Sequence, residues 1–367
     1  MALKHRLKDI LLLTREQLDK EALRPEVRTE FQKVIACRTP ALGAEVYASS
    51  SGEERVVFHT CKSRACPSCG QRANLNWLRQ RSADLPDIPY SHVTLTMPDV
   101  FWPLLKGNRD LLKELPAIGA EVIKRWFRVK YRAQVLIAVM PHTFGKDLKF
   151  NCHLHILVSQ GGLKEDRTAW QRNLPFYKEP IMRMWRYAVV YFLRAAYRRK
   201  LLSTPLGPAA FKRLLNEQYG KYWHIDCKSL GNKWQILSYG GRYARRPPIA
   251  EHKLVKVDER EVTFLIKDTE RRQSSNYSLT INEFIERLGH HVPDRYSNNV
   301  RYFGLLAPRT KAKLYDFIFS LLRQKRRPKP RPLSWAISRE KCFGVNPLID
   351  SKGQPMHWAG RIKAVPV

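Results

Sequence analysis

The clearest strand pattern in the chain lies in residues 150–162, with the sequence FNCHLHILVSQGG. Its apolar run predicts a buried strand that ends at the glycine pair 161–162. His153 and His155 flank a leucine, and residues two apart on a strand point to the same face. We therefore expect both imidazoles to project together, which favours a divalent-metal site.

Three further segments have the pattern of strands in the same sheet. Residues 134–140 (QVLIAVM) precede the His-Leu-His strand and should form an antiparallel hairpin with it. This hairpin would bring His142 and Asp147 near the two imidazoles, so either is a candidate third metal ligand. Residues 92–97 alternate as a half-buried strand does, and residues 223–230 predict one more strand.

A helical segment further along carries two tyrosines one turn apart. Tyr239 and Tyr243 are separated by four residues, so they lie on the same face of a helix. Their neighbours Arg242, Arg245 and Arg246 would lower the pKa of a phenol and bind a phosphate. Tyrosines at this spacing also occur as simple packing residues, so the spacing alone assigns them no reaction.

A cysteine cluster near the N-terminus has the spacing of a metal knuckle. Cys61, Cys66 and Cys69 form a C-x4-C-x2-C pattern in the segment HTCKSRACPSCG. Thiolates favour zinc, and structural zinc sites usually have four ligands in a tetrahedron. Cys37 is the natural fourth ligand, and His59 is the competing one. Two basic residues of the same segment could contact phosphates, namely Arg64 and Arg72.

Composition narrows the classes of function. The 367 residues include 66 lysines and arginines against 33 aspartates and glutamates, a net charge of +33. A polyanion such as nucleic acid is the usual partner of so basic a globular chain. No apolar run approaches the roughly 18 residues that a membrane helix needs. Seven cysteines, mostly clustered, fit metal binding in a reducing compartment, so we predict a cytosolic protein that acts on nucleic acid.

Together, the four-cysteine knuckle, the His-hydrophobe-His strand and the later Tyr-x3-Tyr pair resemble the two-tyrosine HUH transposases of the rolling-circle insertion-sequence-91 family. The resemblance covers roughly residues 35–315. The segments that carry it are CRTPALG, HTCKSRACPSCG, HTFGKDLKFNCHLHILVSQGGL, SYGGRYARRPPIA and RYFGLLAPRTKA.

This resemblance implies covalent catalysis on single-stranded DNA at transposon ends and at the target. Tyr239 or Tyr243 would attack the scissile phosphate to give a 5′-phosphotyrosine, and His153 and His155 would hold Mg²⁺ or Mn²⁺ against that phosphate. Two histidines alone suit zinc or manganese better, whereas an oxygen ligand would favour magnesium. The candidates for the third ligand are His142, Asp147 and Gln235.

The expected fold class is α+β, with an HUH-type antiparallel sheet flanked by helices. An N-terminal helix and a small zinc knuckle would precede the sheet, and a small basic C-terminal region would follow it. The predicted segments are a helical part (1–36), a zinc-binding DNA-contacting domain (37–85), a catalytic domain (86–252), a small β/α domain (253–322) and a basic tail (323–367).

The chain departs from the family pattern at VYASSSGE, where many members carry a further Cys-x2-Cys pair. It also has no G-x4-G-K-[ST] phosphate loop, so a host helicase would separate the strands. We expect a bacterial, nucleoid-associated cytoplasmic protein without membrane contact, and the sequence predicts no oligomeric state. The alternatives are a replication initiator or relaxase with the same chemistry, and a non-catalytic zinc-dependent DNA-binding protein.

Overall fold

The computed structural model describes residues 7–14, 23–244, 247–267 and 273–365. The helices in chain order are α1 (Leu7–Leu13), α2 (Pro25–Ala36), α3 (Pro67–Asp84), α4 (Trp102–Gly107), α5 (Leu115–Tyr131), α6 (Lys178–Arg198), α7 (Pro208–Glu217), α8 (Lys233–Ala244), α9 (Ile281–His290), α10 (Pro308–Leu321) and α11 (Trp335–Phe343). The strands are β1 (Ala44–Ser49), β2 (Glu54–Phe58), β3 (Tyr90–Leu95), β4 (Ala133–Phe144), β5 (Phe150–Lys164), β6 (Trp170–Gln171), β7 (Ile225–Leu230), β8 (Leu254–Val257), β9 (Glu261–Lys267), β10 (Ser274–Thr280), β11 (Arg301–Gly304) and β12 (Met356–Ile362).

A central antiparallel sheet has the strand order β11-β4-β5-β3-β7, and the short β6 pairs with β5. The β4–β5 hairpin is the one predicted from the sequence, and its register places His142 directly opposite His153. The segments predicted from residues 92–97 and 223–230 are β3 and β7, which pair with each other beside β5. The middle strand β5 therefore lies between β4, its hairpin partner, and β3, which comes from a distant part of the chain.

Side chains alternate along the middle strand, so apolar residues project from both of its faces. Helices cover both faces of the sheet. Leu154, Ile156 and Val158 of β5 belong to a core formed with α4, α5 and α6. Leu157 faces the opposite side, in a core formed with α3, α8 and α10. The predicted α+β class, with an antiparallel sheet flanked by helices, is confirmed.

The glycine pair at residues 161–162 does not end the strand, contrary to the sequence prediction, because β5 continues to Lys164. A Cβ on Gly161 would come within 2.5 Å of Trp170 Nε1, and one on Gly162 within 2.6 Å of Gln134 O. These glycines permit close approach of the neighbouring strands β6 and β4, which is a second common reason for glycine inside a strand.

A further hydrophobic core, apart from the two that flank the central sheet, contains cysteines of the knuckle. It is formed by segments that the sequence predicts as separate domains. One hydrophobic cluster joins α1 and α2 with Cys37, Cys66 and Cys69, the three-stranded sheet β10-β9-β8 and helix α9. Strand β11 and helix α10, by contrast, pack with the central sheet. Part of the predicted 253–322 segment therefore packs with the cysteines, and the rest packs with the central sheet.

The segment predicted as a basic tail, residues 323–367, contains helix α11 and strand β12. Strand β12 pairs antiparallel with β1 and completes a three-stranded sheet with β2. Residues 46–53, where the chain lacks the further Cys-x2-Cys pair expected in many family members, lie in the β1–β2 hairpin of this sheet. In the part of the chain that the structure describes, no helix is long and apolar enough to cross a membrane.

Candidate active site and cysteine cluster

Three histidines converge on one face of the central sheet. His142 on β4 lies opposite His153 on β5, and His155 follows on the same face two residues later. One ring nitrogen of each lies within 4.8 Å of the others. The convergence of His153 and His155 was predicted from their spacing, and the structure adds His142 to the pair.

Hydrogen bonds leave two ring nitrogens of this cluster facing each other. His153 Nδ1 lies 2.8 Å from the carbonyl oxygen of Asn151, to which it donates. When His155 donates from Nδ1 to His92 Nε2, 2.9 Å away, the lone pairs on Nε2 of His153 and His155 face each other at 3.1 Å. Two nitrogens bound to one divalent ion at about 2.1 Å lie roughly 3.0–3.4 Å apart. The donor set therefore fits a metal ion.

His92 is the residue at this site that the sequence analysis did not select. It lies on β3, its side chain is almost fully buried, and its Nδ1 has no hydrogen-bond partner among the described residues. Its alternation with Thr94 was visible in the sequence, but the register that places β3 against β5 was not. A neighbour that accepts from the second nitrogen of a metal-binding histidine fixes that ring's tautomer.

Burial lowers the pKa of every imidazole in this group. It lowers the pKa of His92 to about 4 and that of His142 to about 3, where His153 adds to the effect. The pKa values of His153 and His155 are also lowered, again chiefly by burial. All four rings are neutral at neutral pH, which is the protonation state that binds a metal ion.

The other two candidates for a third ligand have different roles in the structure. Asp147 lies in the β4–β5 connection, where its Oδ1 accepts from the backbone N–H of Lys149 at 3.1 Å. Gln235 is exposed in the first turn of α8, and its Oε1 accepts from the N–H of Gly231 at 2.8 Å. His142 is thus the candidate that lies with the histidine pair.

Helix α8 carries both tyrosines over the histidine cluster. The Tyr243 ring stacks on His155 with centroids 3.7 Å apart, and the Tyr239 ring lies 4.5 Å from that of His92. The two tyrosine rings are 5.6 Å apart, on one helix face as predicted. A Cβ on Gly240 would lie 2.8 Å from Leu157 Cδ1, so this glycine lets the helix approach the sheet closely.

At Tyr243 the expected pKa-lowering effect of the arginines is present for Arg242 but is outweighed. Burial and the hydrogen bond to Tyr239 raise the pKa of Tyr243, and they outweigh the opposite effect of Arg242. Arg242 instead lies over the Tyr239 ring, with its guanidinium carbon 5.0 Å from the ring centroid. The other two predicted arginines, Arg245 and Arg246, fall outside the described residues.

The four cysteines form a compact cluster 3.7–3.8 Å apart, measured between Sγ atoms of Cys37 and Cys69, Cys61 and Cys69, and Cys37 and Cys66. Thiolates at the corners of a zinc tetrahedron lie about 3.8 Å apart when each Zn–S bond is about 2.3 Å. Backbone N–H groups also point at two of the sulfurs, Cys61 N at Cys37 and Ser63 N at Cys61. The cluster therefore fits a closed structural zinc site.

The remaining predicted residues around the knuckle divide into two groups. His59, the alternative fourth ligand, is bound elsewhere, because its ring nitrogens lie 2.9 Å from Leu42 O and 3.2 Å from Glu45 Oε1. Arg72 donates to Thr60 Oγ1 at 3.1 Å, whereas Arg64 donates to residues of the loop 293–300. Of these two arginines, Arg64 points towards the histidine and tyrosine side.

Two family models and two relatives match the sequence of this chain. A family model described as "Transposase zinc-binding domain" matches residues 11–97, and one described as "Putative transposase" matches residues 136–313. The chain is 31% identical over 335 residues to the "Transposase for insertion sequence element IS801" of Pseudomonas savastanoi pv. phaseolicola, covering 88% of this chain and 80% of that protein. The chain belongs to the insertion-sequence-91 transposase family.

A second relative supports the same family. The "Putative transposase y4qJ" of Sinorhizobium fredii (strain NBRC 101917 / NGR234) is 30% identical over 297 residues, which cover 77% of this chain and 75% of that protein. No solved structure gives a significant match. The region matched by the zinc-binding model contains all four cysteines. The family match and the cysteine cluster together support a structural Zn²⁺. The second matched region contains the histidine cluster and both tyrosines, and the transposase assignment makes DNA the substrate.

Proposed function

We propose that this transposase cleaves and rejoins single-stranded DNA through a tyrosine on α8, in rolling-circle transposition. The observation that carries the proposal is the stacking of Tyr243 on His155, inside a cluster of three neutral imidazoles. A nucleophile beside a metal-binding group is the arrangement that metal-assisted phosphoryl transfer requires. The mechanism implied by the family resemblance needs the same juxtaposition.

In this mechanism the tyrosine Oη attacks phosphorus as the bond from phosphorus to the 3′ oxygen breaks. The products are a 5′-phosphotyrosine and a free 3′-hydroxyl, and the phenol proton ends on the 3′ oxygen, so no co-reactant is consumed. Mg²⁺ or Mn²⁺, held by His142, His153 and His155, would polarise a non-bridging oxygen of the phosphate. Because the pKa of Tyr243 is raised, loss of its proton would depend on the positive charge of the bound metal ion and of Arg242.

Two tyrosines one helical turn apart suit strand transfer. One tyrosine would retain the donor end while the other cleaves the next strand, so both ends stay attached to one helix. Tyr243 lies against His155 and Tyr239 against His92, so the two phenols approach the same cluster from adjacent turns. We assign Tyr243 the first attack because its ring lies closer to the metal-binding histidines.

The test is cleavage of labelled single-stranded DNA that carries the element's end, in the presence of Mn²⁺. We expect cleavage by the wild type, strongly reduced cleavage by Tyr243→Phe, and none by the Tyr239→Phe/Tyr243→Phe double variant or with EDTA. DNA binding should persist in the double variant because phenylalanine keeps both rings in place. Cleavage that survives in the double variant would overturn the proposal, and tight binding without cleavage in the wild type would indicate a non-catalytic DNA-binding protein.

A further inference from the structure

We propose that the cavity beside Tyr243 binds one unstacked nucleotide of the single strand, next to the phosphate that is cleaved. The inference rests on the proposed function, because it gives that reaction a subsite for its substrate. The cavity has a volume of about 560 Å³, and its wall includes both Tyr243 and His142. It is therefore continuous with the catalytic residues, and its size is that of a small-ligand pocket.

The chemistry of the cavity wall matches a base attached to phosphates. Phe144, Pro116 and Val292 supply apolar surface for the faces of a planar ring. Two amides, Asn298 and Asn299, supply donors and acceptors of the kind that recognise the edge of a base. An apolar slot with a few polar groups selects a nucleobase over a bare phosphate or a sugar.

The charge of the wall is strongly positive, as a phosphate-bearing ligand requires. Asp294 is the one carboxylate among the described residues that line the cavity, and it is already paired with Arg24 at 2.6 Å and Arg109 at 3.1 Å. The cationic residues of the wall are Arg64, Arg109, Lys113, Arg295 and Arg301. Phosphates on either side of a bound base would meet this charge.

Tyr296 is placed to cover a base in this cavity. Its side chain is 91% exposed, and its φ of 61° lies in the left-handed region that a non-glycine residue rarely adopts. Exposure of a large aromatic ring and local backbone strain both cost free energy, and such costs persist mainly at functional sites. Stacking on a base would recover apolar burial for this ring.

The zinc knuckle holds the loop that carries Tyr296. Arg64, between the second and third cysteine ligands, donates to the backbone oxygen of Ser297, to Ser297 Oγ at 3.1 Å and to Asn299 Oδ1 at 3.2 Å. The structural zinc site thus fixes one wall of the cavity whose other wall carries Tyr243. This coupling gives the knuckle a role in placing the substrate strand at the catalytic helix.

The test uses photocrosslinking to a single-stranded oligothymidylate that carries 5-iododeoxyuridine, which reacts preferentially with stacked aromatic rings. The protein is the full-length Tyr239→Phe/Tyr243→Phe double variant with zinc at the knuckle and without added Mg²⁺ or Mn²⁺, so that binding is measured without cleavage. We expect mass spectrometry to locate the crosslink on Tyr296 or Phe144. Crosslinks found only outside these two residues and the loop at 293–300 would overturn the proposal.

Affinity measurements supply the second arm. Tyr296→Gly removes the ring yet accepts the left-handed backbone, and it should weaken binding of the oligothymidylate by about 5- to 100-fold while leaving duplex affinity unchanged. The matched control is Tyr222→Gly, which removes a tyrosine that is 68% exposed and does not line the cavity. If the double variant binds the single strand with the same affinity with and without Tyr296→Gly, the proposal is overturned. Failure of cleavage in the wild type, with the crosslink present, would instead count only against the proposed function.

Discussion

Replacing His92 by phenylalanine should weaken metal binding while the ring packing of the site is kept. His92 contributes two things to the site, namely the acceptor nitrogen that lies 2.9 Å from His155 Nδ1 and a ring packed between Tyr239 and Tyr243. Phenylalanine preserves the ring and removes the acceptor. The variant therefore isolates the hydrogen bond that sets the tautomer of His155.

The expected size of the effect follows from the absence of a good substitute acceptor. Thr94 Oγ1 lies 3.5 Å from His155 Nδ1, beyond the usual 2.7–3.2 Å of such a bond. In metal-free His92→Phe, the proton of the His155 ring can move from Nδ1 to Nε2. The unpaired Nδ1–H donor therefore destabilises only the metal-bound form of the variant. A buried donor without a partner costs about 1–3 kcal/mol, which agrees with the roughly 10- to 100-fold loss of affinity typical of such outer neighbours.

The assay is Mn²⁺ binding, followed by the electron paramagnetic resonance signal of free Mn²⁺, on protein preloaded with zinc at the knuckle. His92→Phe should raise the Kd by about 10- to 100-fold, and His92→Gln, which retains an acceptor, should recover part of that loss. Nitrogen-15 spectra of the histidines should show His155 protonated on Nδ1 in the wild type. An unchanged Kd in His92→Phe, together with lost binding in His155→Ala, would show that His92 does not set the tautomer of a metal-binding His155.

Three further outcomes are expected. Cys61→Ser should lose the knuckle zinc by elemental analysis and lower the unfolding midpoint by circular dichroism, whereas unchanged stability would argue against a structural ion. Burial lowers the pKa of His291 to about 3, whereas the pKa of a histidine in the unfolded chain is about 6.5. As pH falls, the unfolded chain therefore takes up this proton before the folded protein does. The free energy of unfolding should consequently decrease as pH drops from about 6.5 towards 3. Urea unfolding should show a flatter pH dependence in His291→Gln, and an equal slope would contradict this account. Gly240→Val should destabilise the protein by about 1–3 kcal/mol and impair cleavage, because its side chain would push α8 off Leu157; Gly107→Val, where an added Cβ meets nothing within 4 Å, is the control that should leave cleavage unchanged.

The sequence predicted those features that depend on local spacing. The alternation around His153 and His155 placed both rings on one strand face, and the preceding apolar run indicated the hairpin that carries His142. The four-residue spacing of Tyr239 and Tyr243 placed both rings on one helix face. Period-two and period-3.6 patterns are properties of the backbone itself, so they are visible without the tertiary structure.

Features that depend on the register of distant segments were not predictable in this way. His92 reaches the site because β3 pairs with β5 across more than sixty residues of chain, as its hydrogen bond to His155 at a separation of 63 residues shows. The pairing of β12 with β1 likewise joins residues 44–49 to residues 356–362. The glycines at 161 and 162 show the same limit, because what makes glycine necessary there is a neighbouring strand and not a local turn.

In the proposed mechanism, a tyrosine on α8 becomes covalently attached to DNA. The most direct measurement is mass spectrometry of the peptide that stays bound to a 5′-phosphate after incubation of the wild type with single-stranded end DNA and Mn²⁺. We predict an adduct on Tyr243, with Tyr239 carrying it in the Tyr243→Phe variant. An adduct on a residue outside α8, or cleaved DNA with no attached peptide, would contradict the account.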